Sequence, residues 1–223
     1  MVQLSRSPLR PLDPGGAPAY GVRASPPLCP EVLVPVLATW SPLDAALDIL
    51  LPLGLVASTG SGLVIDLDPE GPRLGPGPTL ADLVRSGPTL EQLEPPQTAR
   101  TGKGFGGKAS GFLSNGGVNA GEATPVVAAM IERWPSVVLR CSPRDAQPPG
   151  SIAALPLLPE PFTPVGTGRV VYQRCAFSPR RKPEGVVLPI PRRRTVEALF
   201  AGRRPPSKRD PWLRAVARLW SLP

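Results

Sequence analysis

The chain has 223 residues, among them 34 prolines, 23 glycines, 3 cysteines and no histidine. Proline and glycine together make up about a quarter of the residues, which is typical of low-complexity tracts, whereas a hydrophobic content of 41% is enough for one packed domain. The lack of histidine excludes Ser-His-Asp and Cys-His catalysis and every histidine-ligated metal site.

The formal net charge is +8, and it is unevenly distributed along the chain. From Pro161 onward there are 14 Lys/Arg against 3 Asp/Glu, whereas the first 160 residues hold 11 against 14. The basic character therefore belongs to the C-terminal third. We expect that third to meet an anionic partner or to form a solvated basic surface.

The first elements follow a proline-rich beginning. Residues 1–30 contain seven prolines and no hydrophobic periodicity, which predicts a disordered or extended arm. The apolar run 31–39 predicts a buried strand. Ser41 and Pro42 then resemble the N-cap and first residue of a helix, and Pro52 is expected to end it near Leu51.

The rest of the chain alternates short apolar strands with helices. A capping box of Thr89 with Gln92 marks one helix start, and Thr124-Pro125 is expected to cap another. The apolar stripe of the last helix, which includes Trp212 and Trp220, predicts packing. Strands are predicted over 62–68, 111–114, 136–140, 169–175 and 185–190, and helices over 79–85, 89–93, 124–134, 192–201 and from 210 onward. This alternation predicts an α/β fold with a mostly parallel sheet and helices on both faces.

One motif resembles a known family. Residues 63–71 read LVIDLDPEG, an apolar strand that ends in D-x-D-P-E-G. This block is similar to one in the ParA/MinD family of deviant-Walker P-loop ATPases. The resemblance implies a P-loop NTPase-like domain over 31–202, followed by a basic linker and an amphipathic helix over 203–223. It also implies that Asp66 and Asp68 bind Mg²⁺-nucleotide in an active member; the other interpretation is that they cap the strand end.

The phosphate-binding loop of that family should follow the first strand. That position reads ATWSPLD over residues 38–44, without glycine or lysine. Pro42 lacks an amide donor, and Asp44 places a negative charge where a phosphate would bind. The sequence therefore predicts that no phosphate loop exists there.

A second glycine- and lysine-rich segment lies out of order in the chain. Residues 102–110 contain both lysines at the separation of the deviant Walker loop, but Ala109 stands where Mg²⁺ would need a hydroxyl. The segment also precedes a predicted strand instead of a helix. If this loop binds ATP, the binding residues are Gly102, Lys103, Gly104, Gly107 and Lys108, and Asp66 and Asp68 complete a Mg²⁺-dependent site.

Clusters of arginine and lysine in the C-terminal third are candidates for contact with nucleic acid or another anionic partner. Few aromatic residues stand between them, so sequence-specific base stacking is not expected. The residues concerned are Arg180, Arg181, Lys182, Arg192, Arg193, Arg194, Arg203 and Arg204.

The leading functional hypothesis is an accessory or scaffold protein that has kept the ParA/MinD-like fold, binds no cofactor or metal and is not an enzyme. It would act by binding an unidentified protein in a bacterial partition, conjugation or pilus-type system, and homodimerisation is also expected from the family. Scattered cysteines (Cys29, Cys141, Cys175) and the lack of a signal peptide favour the cytoplasm.

Two alternatives stay open. One is a divergent ATPase that uses ATP and Mg²⁺ at the 102–110 loop. The other is a protein that binds DNA or RNA nonspecifically through the basic clusters. Residues 210–222 are also expected to be capable of a weak contact with a membrane surface.

Overall fold

The computed structural model describes residues 35–75, 77–94, 110–159, 169–180, 183–202 and 210–221. The strands in these ranges are β1 (Val36–Trp40), β2 (Gly62–Asp66), β3 (Ser110–Leu113), β4 (Val137–Arg140), β5 (Ile152–Pro156), β6 (Arg169–Gln173) and β7 (Val186–Leu188). These seven strands form one all-parallel sheet in the order β3-β2-β4-β1-β5-β6-β7. The predicted α/β class is confirmed, and the architecture is compatible with a P-loop NTPase-like fold.

Helices cover both faces of the sheet, as predicted. Alternate residues of β2 point to opposite faces, so Val64 enters one core while Leu63 and Ile65 enter the other. The helices are α1 (Ala45–Thr59), α2 (Leu80–Ser86), α3 (Leu90–Leu93), α4 (Ala120–Ile131), α5 (Arg193–Phe200) and α6 (Pro211–Ala217), followed by a 3₁₀ turn at Arg218–Ser221. Helices α1, α5 and α6 line the first core, and α2, α3 and α4 line the second.

The last helix packs on the first core through its predicted apolar stripe. Its N-cap is Asp210, whose carboxylate accepts hydrogen bonds from the Trp212 and Leu213 amides. The Trp212 ring is fully buried and packs against the backbone of Gly54, where a Cβ atom would lie 2.3 Å from the ring. Its indole N–H donates to Gln173 Oε1 at 2.7 Å. The stripe is thus covered inside the domain.

The beginning and end of α1 differ from the prediction. Asp44, not Ser41, is the N-cap, and the helix continues through Pro52 to Thr59. Ser41 instead donates to the Ala154 carbonyl of β5 at 2.8 Å. Nearly every residue of α1 from Leu47 to Val56 is buried, so packing on both sides outweighs the one backbone hydrogen bond that Pro52 removes.

Two further elements differ from the prediction. The helix expected at Thr124-Pro125 begins earlier, because Asn119 caps it through the Glu122 amide, and Pro125 lies inside its first turns. Strand β5 was not predicted at all. It is buried throughout except at Pro156, and its alanines and the proline at its end resemble a loop more than a strand in sequence.

Some of the predicted features lie outside the described residues. These are the arm over 1–30, the loop residues Gly102, Lys103, Gly104, Gly107 and Lys108, and the basic residues Arg181, Lys182, Arg203 and Arg204. Within the part of the chain that the structure describes, no helix is long and apolar enough to cross a membrane.

Candidate functional site

The D-x-D-P-E-G segment bends over the carboxyl edge of the sheet through two successive side-chain turns. Asp66 ends β2, and its Oδ1 accepts the Asp68 amide at 3.0 Å. Asp68 Oδ1 in turn accepts the Glu70 amide at 3.1 Å. Aspartates favour such turns because their short side chains reach the backbone two residues ahead. The second oxygen of each carboxylate is left facing inward.

Those inward oxygens meet Arg140, the last residue of β4, which is paired with Asp66 in the sheet register. The Arg140 side chain is only 1% exposed. Its Nη1 lies 3.2 Å from Asp66 Oδ2, and its Nη2 lies 3.5 Å from Asp68 Oδ2. Its Nε donates to Asp48 Oδ2 of α1 at 2.5 Å. We call Arg140, Asp48, Asp66 and Asp68 the Arg140 cluster.

The backbone of the motif closes over the guanidinium. Arg140 Nη1 donates to the Pro72 carbonyl at 3.3 Å. A Cβ atom on Gly71 would lie 2.3 Å from Arg140 Nη2, so this position needs the small size of glycine. The glycine that ends D-x-D-P-E-G therefore serves the close approach of backbone to guanidinium.

The Arg140 cluster carries three carboxylates for one guanidinium, and all four side chains are buried. Burial raises the pKa of Asp66 to about 6, although the attraction of Arg140 opposes the rise. Burial likewise raises the pKa of Asp48, again against the opposing effect of Arg140. One guanidinium thus compensates incompletely for the removal of these carboxylates from water, and the cluster retains excess negative charge.

This imbalance predicts a definite pH dependence of stability. Between pH about 4 and about 6, folded Asp66 holds a proton that the unfolded chain releases, so the free energy of unfolding falls as pH rises through this window. The loss amounts to about 3 kcal/mol for a displacement of this size. Substitution Asp66→Asn should flatten this part of the profile, measured by urea unfolding across the window.

The matched control for that measurement is Asp82→Asn. Asp82 lies on the surface in the first turn of α2, and hydrogen bonds from the N-cap residue Thr79 lower the pKa of its carboxyl. The ionised Asp82 carboxyl stabilises the fold above its ordinary pKa, and this contribution is lost as pH falls. Asp82→Asn should therefore change the dependence of the unfolding free energy on pH in the sense opposite to Asp66→Asn. Equal pH profiles for wild type and Asp66→Asn would refute the assignment of excess negative charge to the cluster.

The connection between β1 and α1 is the strand–loop–helix position where a phosphate loop would stand. Only Ser41, Pro42 and Leu43 separate β1 from the cap residue Asp44. Asp44 Oδ1 accepts the amides of Ala46 at 2.9 Å and of Leu47 at 3.1 Å. A carboxylate of the chain itself therefore occupies the amides that a helix N-terminus offers to an anion.

Only some of the other predicted site residues lie within the described part of the chain. Ser110 is the one described residue of the glycine- and lysine-rich segment 102–110, and it pairs with Gly62 at the amino end of the sheet, whereas Asp66 ends β2 at the carboxyl edge. Arg180 and the residues Arg192, Arg193 and Arg194 at the start of α5 are exposed. Among these, Arg193 pairs with Glu197 one turn later.

Sequence reasoning missed two members of the Arg140 cluster. The sequence predicts Arg140 only as the end of the strand over 136–140, and it gives Asp48 no role, so neither is predicted to be a partner of the D-x-D-P-E-G aspartates. The available signal was a lone charge in each otherwise apolar element, Arg140 as the last residue of β4 and Asp48 in the first turn of α1. Among the described residues, no group of three or more cysteine or carboxylate side chains is arranged to hold a metal ion.

No protein-family model, curated protein or solved structure matches this chain.

Proposed function

We propose that this chain is a ParA/MinD-like domain that has lost nucleotide chemistry and acts by binding a protein partner. The proposal assigns it an accessory or scaffold role in a bacterial partition, conjugation or pilus-type system. The class of system follows from the resemblance of residues 63–71 to that family, and the parallel sheet with helices on both faces is compatible with it.

The position of Asp44 is the observation that carries the loss of nucleotide chemistry. An anion at the start of α1 would have to displace the Asp44 carboxylate from two backbone amides and then face its negative charge. No lysine or glycine stands between β1 and α1 to offset that repulsion. The loop between β1 and α1 therefore disfavours an anion, whereas the corresponding loop of an active family member would bind one.

The Arg140 cluster supports the same proposal. In an active relative, free carboxylates at the end of this strand would face a bound cation. Here Arg140 lies against Asp66 and Asp68 at 3.2 and 3.5 Å, and it supplies the positive charge from within the fold. The D-x-D-P-E-G motif is then retained because it encloses a guanidinium.

The test is steady-state ATP hydrolysis by the purified full chain in the presence of Mg²⁺. We expect wild type, Asp66→Ala and Lys108→Ala all to release phosphate at the background rate of a protein-free sample. A turnover above background that both substitutions abolish would overturn the proposal and establish the divergent ATPase that uses the 102–110 loop.

A further inference from the structure

Each of four neighbouring strands is followed, at the same edge of the sheet, by a large apolar residue whose side chain is exposed. Leu43 follows β1, Leu158 follows β5, Phe177 follows β6 and Ile190 follows β7. We call these four residues the apolar row. Only three other large apolar residues are comparably exposed among the described residues, so this edge holds most of them. Large apolar side chains gathered at one edge indicate an interaction surface.

The register of the sheet brings the strand ends that precede the apolar row level with one another. Pro156 of β5 pairs with Gln173 of β6, which pairs with Leu188 of β7, so these three strands end level with one another. The four strands β1, β5, β6 and β7 are consecutive in the sheet. At a strand spacing of about 4.8 Å, the row extends over about 14 Å. That length matches a short peptide segment.

Hydrogen bonds hold the loops that present the row. The Ser178 hydroxyl donates to the Leu157 carbonyl at 2.8 Å, which joins the loop after β6 to the loop after β5. The Gln173 side-chain amide donates to the Pro189 carbonyl at 2.8 Å, which joins β6 to the chain leaving β7. The row is therefore part of a braced surface at the rigid ends of the strands.

Positive charge lies at one end of the row. Arg180 follows Phe177 in the loop after β6, and Arg192, Arg193 and Arg194 follow Ile190. We call these four residues the arginine group. Three of them stand at the N-terminus of α5, where the helix dipole disfavours cations, and the first turn of α5 contains no acidic residue. Arg193 already pairs with Glu197 of the same helix, so an external anion would relieve this unfavourable arrangement at Arg192 and Arg194.

We infer that the apolar row and the arginine group together dock an acidic segment of a partner protein that also carries large apolar side chains. Its apolar residues would contact the row, and its carboxylates would pair with the arginines, which bind carboxylates in a forked geometry. This inference rests on the proposed function, because it supplies the surface through which a binding protein acts.

Charge and exposure favour a protein segment over the other anionic partners. A nucleic acid duplex would engage the arginine group through its phosphates and leave the apolar row in water. An anionic membrane would need the apolar tips to protrude together, but the exposed fraction falls from 82% at Phe177 to 38% at Leu158. A peptide can follow such an uneven row.

The experiment selects binders for the full-length chain from a phage-displayed library of random peptides and measures synthetic copies by fluorescence anisotropy. We expect enriched peptides to combine Asp or Glu with aliphatic or aromatic residues. Phe177→Ser and Arg192→Ser should each weaken their binding on the order of tenfold or more. Phe177 is exposed, and serine is a favourable N-cap at position 192, so both variants keep the fold.

The matched control is Leu90→Ser. Leu90 is 66% exposed at the start of α3, and α3 is held by the Trp134 side chain, just before the amino end of β4. Peptide affinity should be unchanged in this variant. Failure to enrich any peptide, or equal affinity for wild type and both test variants, would overturn the inference.

Two parallel titrations identify a wrong partner class, one with vesicles that contain phosphatidylserine and one with duplex DNA. The inference would also be overturned if Phe177→Ser and Arg192→Ser both weakened binding to the vesicles or to the DNA but left peptide affinity unchanged.

Peptide affinity is also measured with and without millimolar Mg²⁺-ATP. Equal values are expected, whereas binding that needs ATP would contradict the proposed function and leave the docking surface standing.

Discussion

Replacement of Arg140 by methionine should destabilise the domain by about 3–5 kcal/mol, the cost of leaving a buried charge without its partner. The substitution removes the guanidinium from Asp48, Asp66 and Asp68 and also leaves the Pro72 carbonyl without its donor. The free energy of unfolding from urea titration measures the loss. The deficit should shrink toward pH about 4, because Asp66, whose pKa burial raises to about 6, then holds a proton and no longer repels its neighbours.

Arg144→Met is the matched control for that prediction. Arg144 pairs with Glu70 in the same region, but both side chains are well exposed. An exposed pair contributes less than about 1 kcal/mol, so this variant should remain close to wild type. If Arg140→Met fails to fold at neutral pH, Arg140→Met with Asp66→Asn should recover part of the stability. Equal stabilities for Arg140→Met and Arg144→Met would refute the role of the cluster.

Replacement of Trp212 by alanine should destabilise the domain by about 3–5 kcal/mol. The indole is fully buried against Gly54 of α1, and its N–H is satisfied by Gln173. Alanine would leave a cavity between α1 and α6, because the glycine opposite it has no side chain to fill the space. Thermal and urea unfolding both measure the effect.

Trp212→Phe provides the control, because it keeps an aromatic ring in the same space and removes the indole N–H. It should lose clearly less stability than Trp212→Ala. A loss below about 1 kcal/mol for the alanine variant would contradict the packing of α6 on the domain. It would favour a helix that is free to detach, as the predicted weak membrane contact through residues 210–222 requires.

The class and the layers of the fold could be predicted because the strands and helices carry strong local patterns. Val64 lies between Leu63 and Ile65 in a continuous apolar run, which is typical of a strand buried on both faces. Asp210-Pro211 carries its own cap and starts α6 where expected. These signals lie within a few residues of one another.

The features that were predicted wrongly or missed depend on contacts between distant segments of the chain. Pro52 remains helical because neighbours on both sides bury α1, and β5 is recognisable only from its partners β1 and β6. The Arg140 cluster joins residues that are 72 to 92 positions apart in the chain. Local patterning contains none of this information, because the sheet order alone brings β2 and β4 together.

The D-x-D-P-E-G motif likewise has a part that could be predicted from the sequence and a part that could not. The sequence correctly placed Asp66 at a strand end, and strand topology puts such residues at the carboxyl edge where α/β folds bind ligands. What faces these aspartates was beyond prediction, since their partner Arg140 comes from another strand. A motif can therefore predict where its aspartates lie in the sheet, whereas the charge that faces them depends on a residue elsewhere in the chain.

The most direct test of this account is equilibrium binding of a fluorescent ATP analogue to the purified full-length chain, with and without Mg²⁺. We expect no saturable binding up to millimolar analogue under either condition, because the Asp44 carboxylate occupies the start of α1 and Arg140 faces the aspartates. Micromolar binding that requires Mg²⁺ and disappears in Lys108→Ala would contradict it and establish a divergent ATPase.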